Sequence, residues 1–277
     1  MTTAYSAQLM AGKRGLIMGV ANNHSIAWGI AKTLADHGAE LAFTYQNESL
    51  LKRIRPLAES VGSDMLFPCD VANEDDLDEV FRLIEANWGR LDFLVHAIAY
   101  SDKEELKGRY VDTSLENFMN TMHVSCYSFT SVMRRASSLM SENGAALTMT
   151  YYGARQVMPS YNVMGVAKAA LESSVQYLAA DLGPDNIRVN AISAGPMRTL
   201  AGSAIGGGRQ TFKYNAHTAP LRRNVDQSEV GQAGLYLLSD LSSAVTGEVH
   251  YVDCGFNAVG MPLHENLPEI AVADESD

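Results

Sequence analysis

Tyr161 and Lys168 stand seven residues apart in a stretch whose pattern predicts a helix. Two turns of α-helix take roughly 7.2 residues, so a phenol and an ammonium at this spacing project from one face. A phenol O–H can donate to an oxygen that gains negative charge in a reaction, and losing such a donor costs about 2.7–4 kcal/mol of barrier. The ammonium can grip ribose hydroxyls and place positive potential beside the same oxygen. Tyr151 ends the run Leu147-Thr-Met-Thr-Tyr151, where a buried strand gives way to a loop. It can shape a substrate pocket or assist a proton step. Taken alone, the Tyr–Lys pair fits a half-buried ring and a surface cation just as well.

These side chains need a scaffold, and the chain alternates short β-rich runs with longer helical ones, the pattern of a parallel sheet with crossover helices. Strands are expected at Gly15–Val20, Glu40–Tyr45, Met65–Cys69, Leu91–Ile98, Ala145–Thr150, Ile187–Ser193 and Gly247–Asp253. Helices are expected at Ile26–His37, Glu48 to about Val61, Asn73–Asn87, Glu116–Met140 and Val163–Leu182. In the last of these, Gly165, Ala167, Ala169 and Ala170 permit close approach of a neighbouring helix. Ala194–Asp226 is a long Gly-, Pro- and Thr-rich connection, of the kind that is usually functional or mobile. The expected architecture is α/β: one doubly wound, Rossmann-like parallel sheet of about seven strands over residues 1–277, with helices on both faces. Ligands are then expected at the carboxyl ends of the strands.

At the first strand–helix junction lies Gly19-Val-Ala-Asn-Asn-His-Ser25-Ile26. Backbone amides at a helix start attract a pyrophosphate, and a glycine lets the chain approach it. The full G-x-G-x-x-G spacing is absent, so the segment fits a plain turn as well. Ser25 can cap the helix or donate to a phosphate. After the second strand, Gln46 stands where an acidic residue often holds the adenosine ribose. No arginine follows directly, which favours NADH over NADPH, while Lys52 and Arg53 keep NADPH open. After the third strand, Asp70-Val71 can meet the adenine ring, although Asp70 suits a helix N-cap equally.

Two longer segments carry a resemblance: Tyr151-Tyr-Gly-Ala-Arg-Gln-Val-Met-Pro-Ser-Tyr161-Asn-Val-Met-Gly-Val-Ala-Lys168, and Arg188-Val-Asn-Ala-Ile-Ser-Ala-Gly-Pro-Met-Arg-Thr-Leu200-Ala. Together with Gly-Val-Ala-x-x-x-Ser-Ile and Ala-Phe-Thr-Tyr-Gln, they closely resemble the bacterial enoyl-acyl carrier protein reductases, within the short-chain dehydrogenases. The resemblance runs from about Gly12 to Gly260. It implies reduction of the trans-2 double bond of an enoyl thioester by NADH, the last reductive step of fatty-acid elongation. Ordinary short-chain dehydrogenases place their tyrosine four residues before the lysine, which here is Met164, and a serine thirteen residues earlier, which here is Tyr151. The resemblance further implies that Met197, Arg198, Thr199, Leu200 and Ala201 lie along the nicotinamide and pyrophosphate. Ile98 backs the cofactor, and Ser101 faces the acyl substrate. A mobile substrate loop spans about 195–226, the partner is acyl carrier protein, and the assembly is a homotetramer.

The pattern departs from the family at Ala97-Ile98-Ala99, where a glycine is common at the third position. It departs again at Gly206-Gly-Gly208-Arg209-Gln210, where the family usually carries an aromatic and basic residues. Three glycines raise the entropic cost of ordering a loop.

Composition narrows the remaining classes. The formal net charge of -11 opposes nucleic acid and anionic lipid as partners. Part of that excess lies in an acidic tail, residues 263–277. No apolar run reaches the roughly 18–20 residues that span a bilayer. Met1–Lys13 lacks the cationic start and apolar stretch of a signal peptide. Three scattered cysteines suit a reducing cytoplasm, and seven histidines show no ligand spacing, so no metal is expected. Two rivals stand beside the reductase: a ketone or alcohol dehydrogenase of the same fold, and a non-catalytic nicotinamide sensor.

Arg209, Lys213, Arg222 and Arg223 can still supply a local basic patch to an acidic carrier. Charge reversal at Arg209 and Lys213 is expected to raise the Michaelis constant for carrier-bound substrate, and an unchanged constant removes this patch as the dock.

Overall fold

The structure, a computed structural model, describes residues 8–199 and 208–261. Seven strands form one sheet: β1 (Arg14–Met18), β2 (Glu40–Tyr45), β3 (Leu66–Pro68), β4 (Leu91–His96), β5 (Met140–Thr150), β6 (Arg188–Ala194) and β7 (Val249–Val252). Their order is β3-β2-β1-β4-β5-β6-β7, and every pair is parallel. All carboxyl ends therefore share one edge. The order reverses between β1 and β4, and the crevice at such a reversal is where ligands of open α/β sheets bind.

Helices cover both faces. One face carries α1 (Ile26–Asp36) and α2 (Glu48–Ser60), and the opposite face α3 (Glu74–Trp88). On that second face α4 (Leu115–Met122), a π-helical turn (His123–Tyr127) and α5 (Ser128–Leu139) follow one another. Beside them lies α6 (Asn162–Leu182), and the chain continues through α7 (Gly208–Thr218) and α8 (Gln227–Leu238). Alternation of side chains along each strand divides the core in two. Ile17, Phe43, Phe93, Val95, Leu147 and Ile192 point to the α1–α8 side. Leu16, Met18, Leu94, Ala146, Val189 and Ala191 point to the α3–α5–α6 side. Fully burying one such side chain contributes about 1.5–3 kcal/mol.

Three features differ from the expected elements. The helix expected over Glu116–Met140 is interrupted by the π turn. There the Ser125 hydroxyl accepts from the Tyr100 N–H and donates to the Tyr100 carbonyl, both at 2.9 Å, which ties the turn to the chain leaving β4. Helix α8 was not anticipated, although Asp226 and Glu229 mark its start: the Asp226 N–H donates to the Glu229 carboxylate at 2.8 Å. Its Gly231 lies so close to α1 that a Cβ there would stand 2.7 Å from the Gly29 carbonyl. Part of the long connection 194–226 is helical, as α7. Residues 200–207 of the expected mobile loop and the tail 263–277 lie outside the described residues.

At the end of β4, His96 is fully buried, its Nε2 2.9 Å from Ser128 Oγ. Ser128 gives its own proton to the Val124 carbonyl at 2.7 Å, so the imidazole donates through Nε2 and is neutral. Burial, aided by the charge on Lys168, pushes its pKa from 6.5 down to about 3. The unfolded chain thus binds a proton that the folded one refuses between these values. The stabilisation is complete above pH 6.5 and is lost as pH falls toward 3. Melting temperatures followed from pH 7.5 to 4 are therefore expected to fall more steeply for the native protein than for a folded His96→Asn variant, whereas parallel curves would remove His96 as the cause.

Candidate active site

The carboxyl end of β5 and the start of α6 build one wall of the crevice. Ser160 and Asn162 flank Tyr161 with φ of 57° and 36°, a left-handed backbone that turns the chain sharply at the phenol. Asn162 Nδ2 donates to the Leu106 carbonyl at 3.2 Å and so holds this turn to the segment after β4. The Tyr161 ring is buried and meets the edge of Tyr151, with centroids 5.1 Å apart at 74°. Gly153 makes room: a Cβ there would stand 2.5 Å from Tyr161 Cδ1. Gly165, expected to face a neighbouring helix, instead admits this loop, since its Cβ would lie 2.8 Å from the Gly153 carbonyl.

From Tyr161 onward one buried stripe follows the helical repeat through Met164, Lys168, Leu171, Glu172, Val175 and Ala179. Tyr161 stands one residue before α6 and Lys168 within it, and both side chains are buried. Lys168 Nζ donates to the Met149 carbonyl at 2.8 Å. An ammonium has three N–H donors, so two remain for a ligand. Among the described residues neither phenol hydroxyl has a hydrogen-bond partner.

Burial dominates the electrostatics. It lowers the Lys168 pKa to about 8, against the opposing pull of Cys126 and Glu172. It raises that of Tyr161 well above the ordinary phenol range, with Tyr151 and Glu172 adding to the effect. Burial and the charge of Asp253 push Tyr151 up to about 12. Both phenols thus keep their protons near neutral pH and can act as O–H donors.

The other wall lies at β1 and β4. Gly19 has φ +98°, and a Cβ there would fall 2.2 Å from the Ala97 carbonyl, so only glycine fits at this reversal point. Ser25 precedes α1 but does not cap it. Its hydroxyl accepts from the Ala21 N–H at 2.9 Å and the Asn22 N–H at 3.1 Å, folding the loop on itself. The first amides of α1 are left to an anion from outside. Ile26 opens that helix and packs against the core.

Gln46 and Asp70 meet: Gln46 Nε2 donates to Asp70 Oδ2 at 3.0 Å. Asp70 is not the cap of α3, because Asn73 takes that place by accepting from the Asp75 N–H at 3.0 Å. Its other oxygen accepts from the Ala72 N–H at 2.9 Å in a local turn. A carboxylate at this point disfavours a second phosphate on the neighbouring ribose. Val71 is turned into the core, and Ile98 packs partly buried against it.

After β6, Met197 packs against the first core, and the Thr199 N–H donates to the Met197 carbonyl at 2.9 Å. The Arg198 guanidinium lies 5.1 Å over the Phe212 ring of α7. Leu200 and Ala201 lie outside the described residues. The Ser101 hydroxyl is engaged by α4, accepting from Thr121 Oγ1 at 2.9 Å and Asn117 Nδ2 at 3.2 Å.

Sequence reasoning missed Glu172, Arg155, Gly153 and Cys126. Glu172 had a visible signal, a carboxylate four residues past Lys168 on the apolar side of its helix. Cys126 had none, since its contact with Ser174 comes from a distant segment, and the need for glycine at 153 appears only once Tyr161 folds back over the loop. As a set, the Gly19 cradle, the open α1 amides, the Gln46–Asp70 pair and the spare Lys168 donors fit a dinucleotide. No group of histidine, cysteine and carboxylate side chains among the described residues suits a metal ion.

Comparison with known proteins agrees with this geometry. The family described as "Enoyl-(Acyl carrier protein) reductase" matches residues 19–257. "Enoyl-[acyl-carrier-protein] reductase [NADH] 2" of Rhizobium meliloti (strain 1021) is 61% identical over 96% of this chain and 99% of its own length. The structure of the Anaplasma phagocytophilum reductase in complex with NAD superposes with a TM-score of 0.89 at 54% identity, covering 95% of this chain and 98% of that one. The Bacillus cereus enoyl-acyl carrier protein reductase with NADP+ and an indole naphthyridinone gives 0.90 at 45% identity, covering 91% and 99%.

Proposed function

The chain belongs to the enoyl-[acyl-carrier-protein] reductase family, and on that premise we propose that Tyr161, Lys168 and Tyr151 carry its chemistry. The protein is an NADH-dependent enzyme that reduces the double bond of enoyl thioesters in fatty-acid elongation. The observation that supports the residue assignment is the burial of both the Tyr161 ring and Lys168, with Lys168 Nζ donating to the Met149 carbonyl near the carboxyl end of β5.

NADH, when bound, would supply the hydride for the β-carbon, and a proton of solvent origin completes the reduction at the α-carbon. The chain stabilises the charge that then develops on the thioester oxygen. Tyr161, kept protonated by burial, donates its O–H to that oxygen. Lys168 keeps one N–H on the Met149 carbonyl and turns the other two to the ribose hydroxyls of the nicotinamide half. Its positive charge lies in a poorly hydrated site, where screening is weak. Tyr151 holds the Tyr161 ring by its edge contact and borders the acyl chain.

Gly19, Ser25 and Ile26 form the pyrophosphate loop, Gln46 and Asp70 hold the adenosine end, and Ile98, Met197, Arg198 and Thr199 line the nicotinamide side. The fit to NADH over NADPH rests on the Asp70 carboxylate. Acyl carrier protein is the partner that presents the substrate. Within the basic patch Arg223 is paired with Glu229 and Arg222 donates to the His217 carbonyl, so among the described residues Arg209, Lys213 and Arg222 have no carboxylate partner. Exposed apolar side chains on α4 to α6, including Leu115, Met119 and Tyr177, support assembly with further copies as a homotetramer. Three unpaired thiols support a cytoplasmic setting.

The ketone-reducing alternative lacks an acid, since Met164 is buried and apolar where that tyrosine would stand. Purified protein is expected to consume NADH with crotonyl thioesters and not with acetoacetyl thioesters. Tyr161→Phe should lower kcat by about 10²–10³-fold while NADH affinity and melting temperature stay unchanged. Full turnover in that variant would overturn the assignment.

A further inference from the structure

One carboxylate stands one turn past Lys168 and has no part in the chemistry above. Glu172 is 2% exposed, a burial that acidic side chains rarely show without partners. Its two oxygens are held by different segments. Oε1 accepts from Thr150 Oγ1 at 2.9 Å, at the end of β5, and Oε2 accepts from Arg155 Nε at 2.6 Å, in the loop between β5 and α6. Thr150 directly follows Met149, whose carbonyl takes the Lys168 proton. The strand end is thus pinned to α6 twice in succession, once through each member of the Lys168–Glu172 pair. Arg155 pins the loop that separates Tyr151 from Tyr161.

The groups within electrostatic reach of Lys168 come from several elements: Cys126 from the π turn, His96 from β4 and Glu172 on α6 itself. Burial keeps the thiol and the imidazole neutral near pH 7. Among the described residues this leaves Glu172 as the one anion within electrostatic reach of Lys168.

We propose that Glu172 is a positioning residue for the reduction: its carboxylate is the counter-charge of Lys168 and, through Thr150 and Arg155, the anchor of the loop that seats Tyr151 and Tyr161. The proposal rests on the role given to Lys168 above. Its direct consequence is a pH dependence. Burial alone drives Lys168 toward its neutral form, and the nearby negative charge opposes that drive. Removing the charge lets the ammonium lose its proton at a lower pH.

Glu172→Gln keeps the side chain's shape and its carbonyl toward Thr150. The alkaline limb of kcat against pH is expected to move to lower pH by about 0.5–1 unit. NADH affinity, titrated by fluorescence, should weaken over the same range, and both should recover near pH 6. Arg155→Gln retains the carboxylate and should leave the limb in place. The double variant Glu172→Gln/Arg155→Gln leaves neither charge unpaired, so it covers the case in which the single change prevents folding, and it should move the limb as Glu172→Gln does. An unmoved limb in folded Glu172 variants overturns the proposal. An equal displacement in Arg155→Gln overturns it too, by assigning the effect to loop geometry. Lys168→Met separates the two levels. Intact NADH affinity and turnover there would remove Lys168 from the site, and this proposal with it. Loss there, beside an unmoved limb in Glu172→Gln, would defeat this proposal alone.

Discussion

Lys168 is 6% exposed, in a part of the core where an uncompensated ammonium would cost several kcal/mol. The fold compensates by bringing the last carbonyls of β5 against the first turns of α6, so that Met149 accepts one proton of the ammonium at 2.8 Å. Much of the local architecture follows from this hydrogen bond. It fixes the distance between strand end and helix, and so sets the loop that must join them. It also spends only one of three donors. The other two can be satisfied by a ligand with paired hydroxyls, which makes binding and burial parts of one electrostatic arrangement.

The sheet order supplies the space for that ligand. With β1 and β4 adjacent and the chain turning to opposite sides after them, a crevice opens beside β5, and Gly19 lets β1 close against the Ala97 carbonyl at its base. From β2 and β3, Gln46 and Asp70 meet at the far end of the same edge. The distance from this amide–carboxylate pair to the Tyr–Lys stripe is spanned by strands in register, not by flexible loops. The geometry of the two binding ends is thereby coupled through the core.

Much of this was legible in the residues. Alternating apolar runs gave all seven strands to within a few residues at most ends, because parallel strands buried on both faces leave a strong compositional mark. The burial of Lys168 on the apolar stripe of α6 followed the helical repeat, whereas Tyr161 stands just before that helix, between the left-handed Ser160 and Asn162. Other features depend on partners remote in the chain. Nothing around His123–Tyr127 announces a π turn, since its cause is the hydroxyl of Ser125 meeting the backbone of Tyr100. Ser25 has the residue type of a cap yet folds its loop, and Asp70 yields the cap of α3 to Asn73. Local propensity names the residue types suited to a task, and tertiary contacts decide which of them performs it. Glu172 shows both sides: its position on an apolar stripe was visible, its partners Thr150 and Arg155 were not.

The most direct test is a crystal structure of the protein with NADH and an unreactive enoyl-thioester analogue. The account predicts Lys168 Nζ on the Met149 carbonyl and on both ribose hydroxyls of the nicotinamide half, with the Tyr161 hydroxyl at hydrogen-bond distance from the thioester oxygen. A thioester oxygen met by another donor, or a lysine turned away from the ribose, would contradict it.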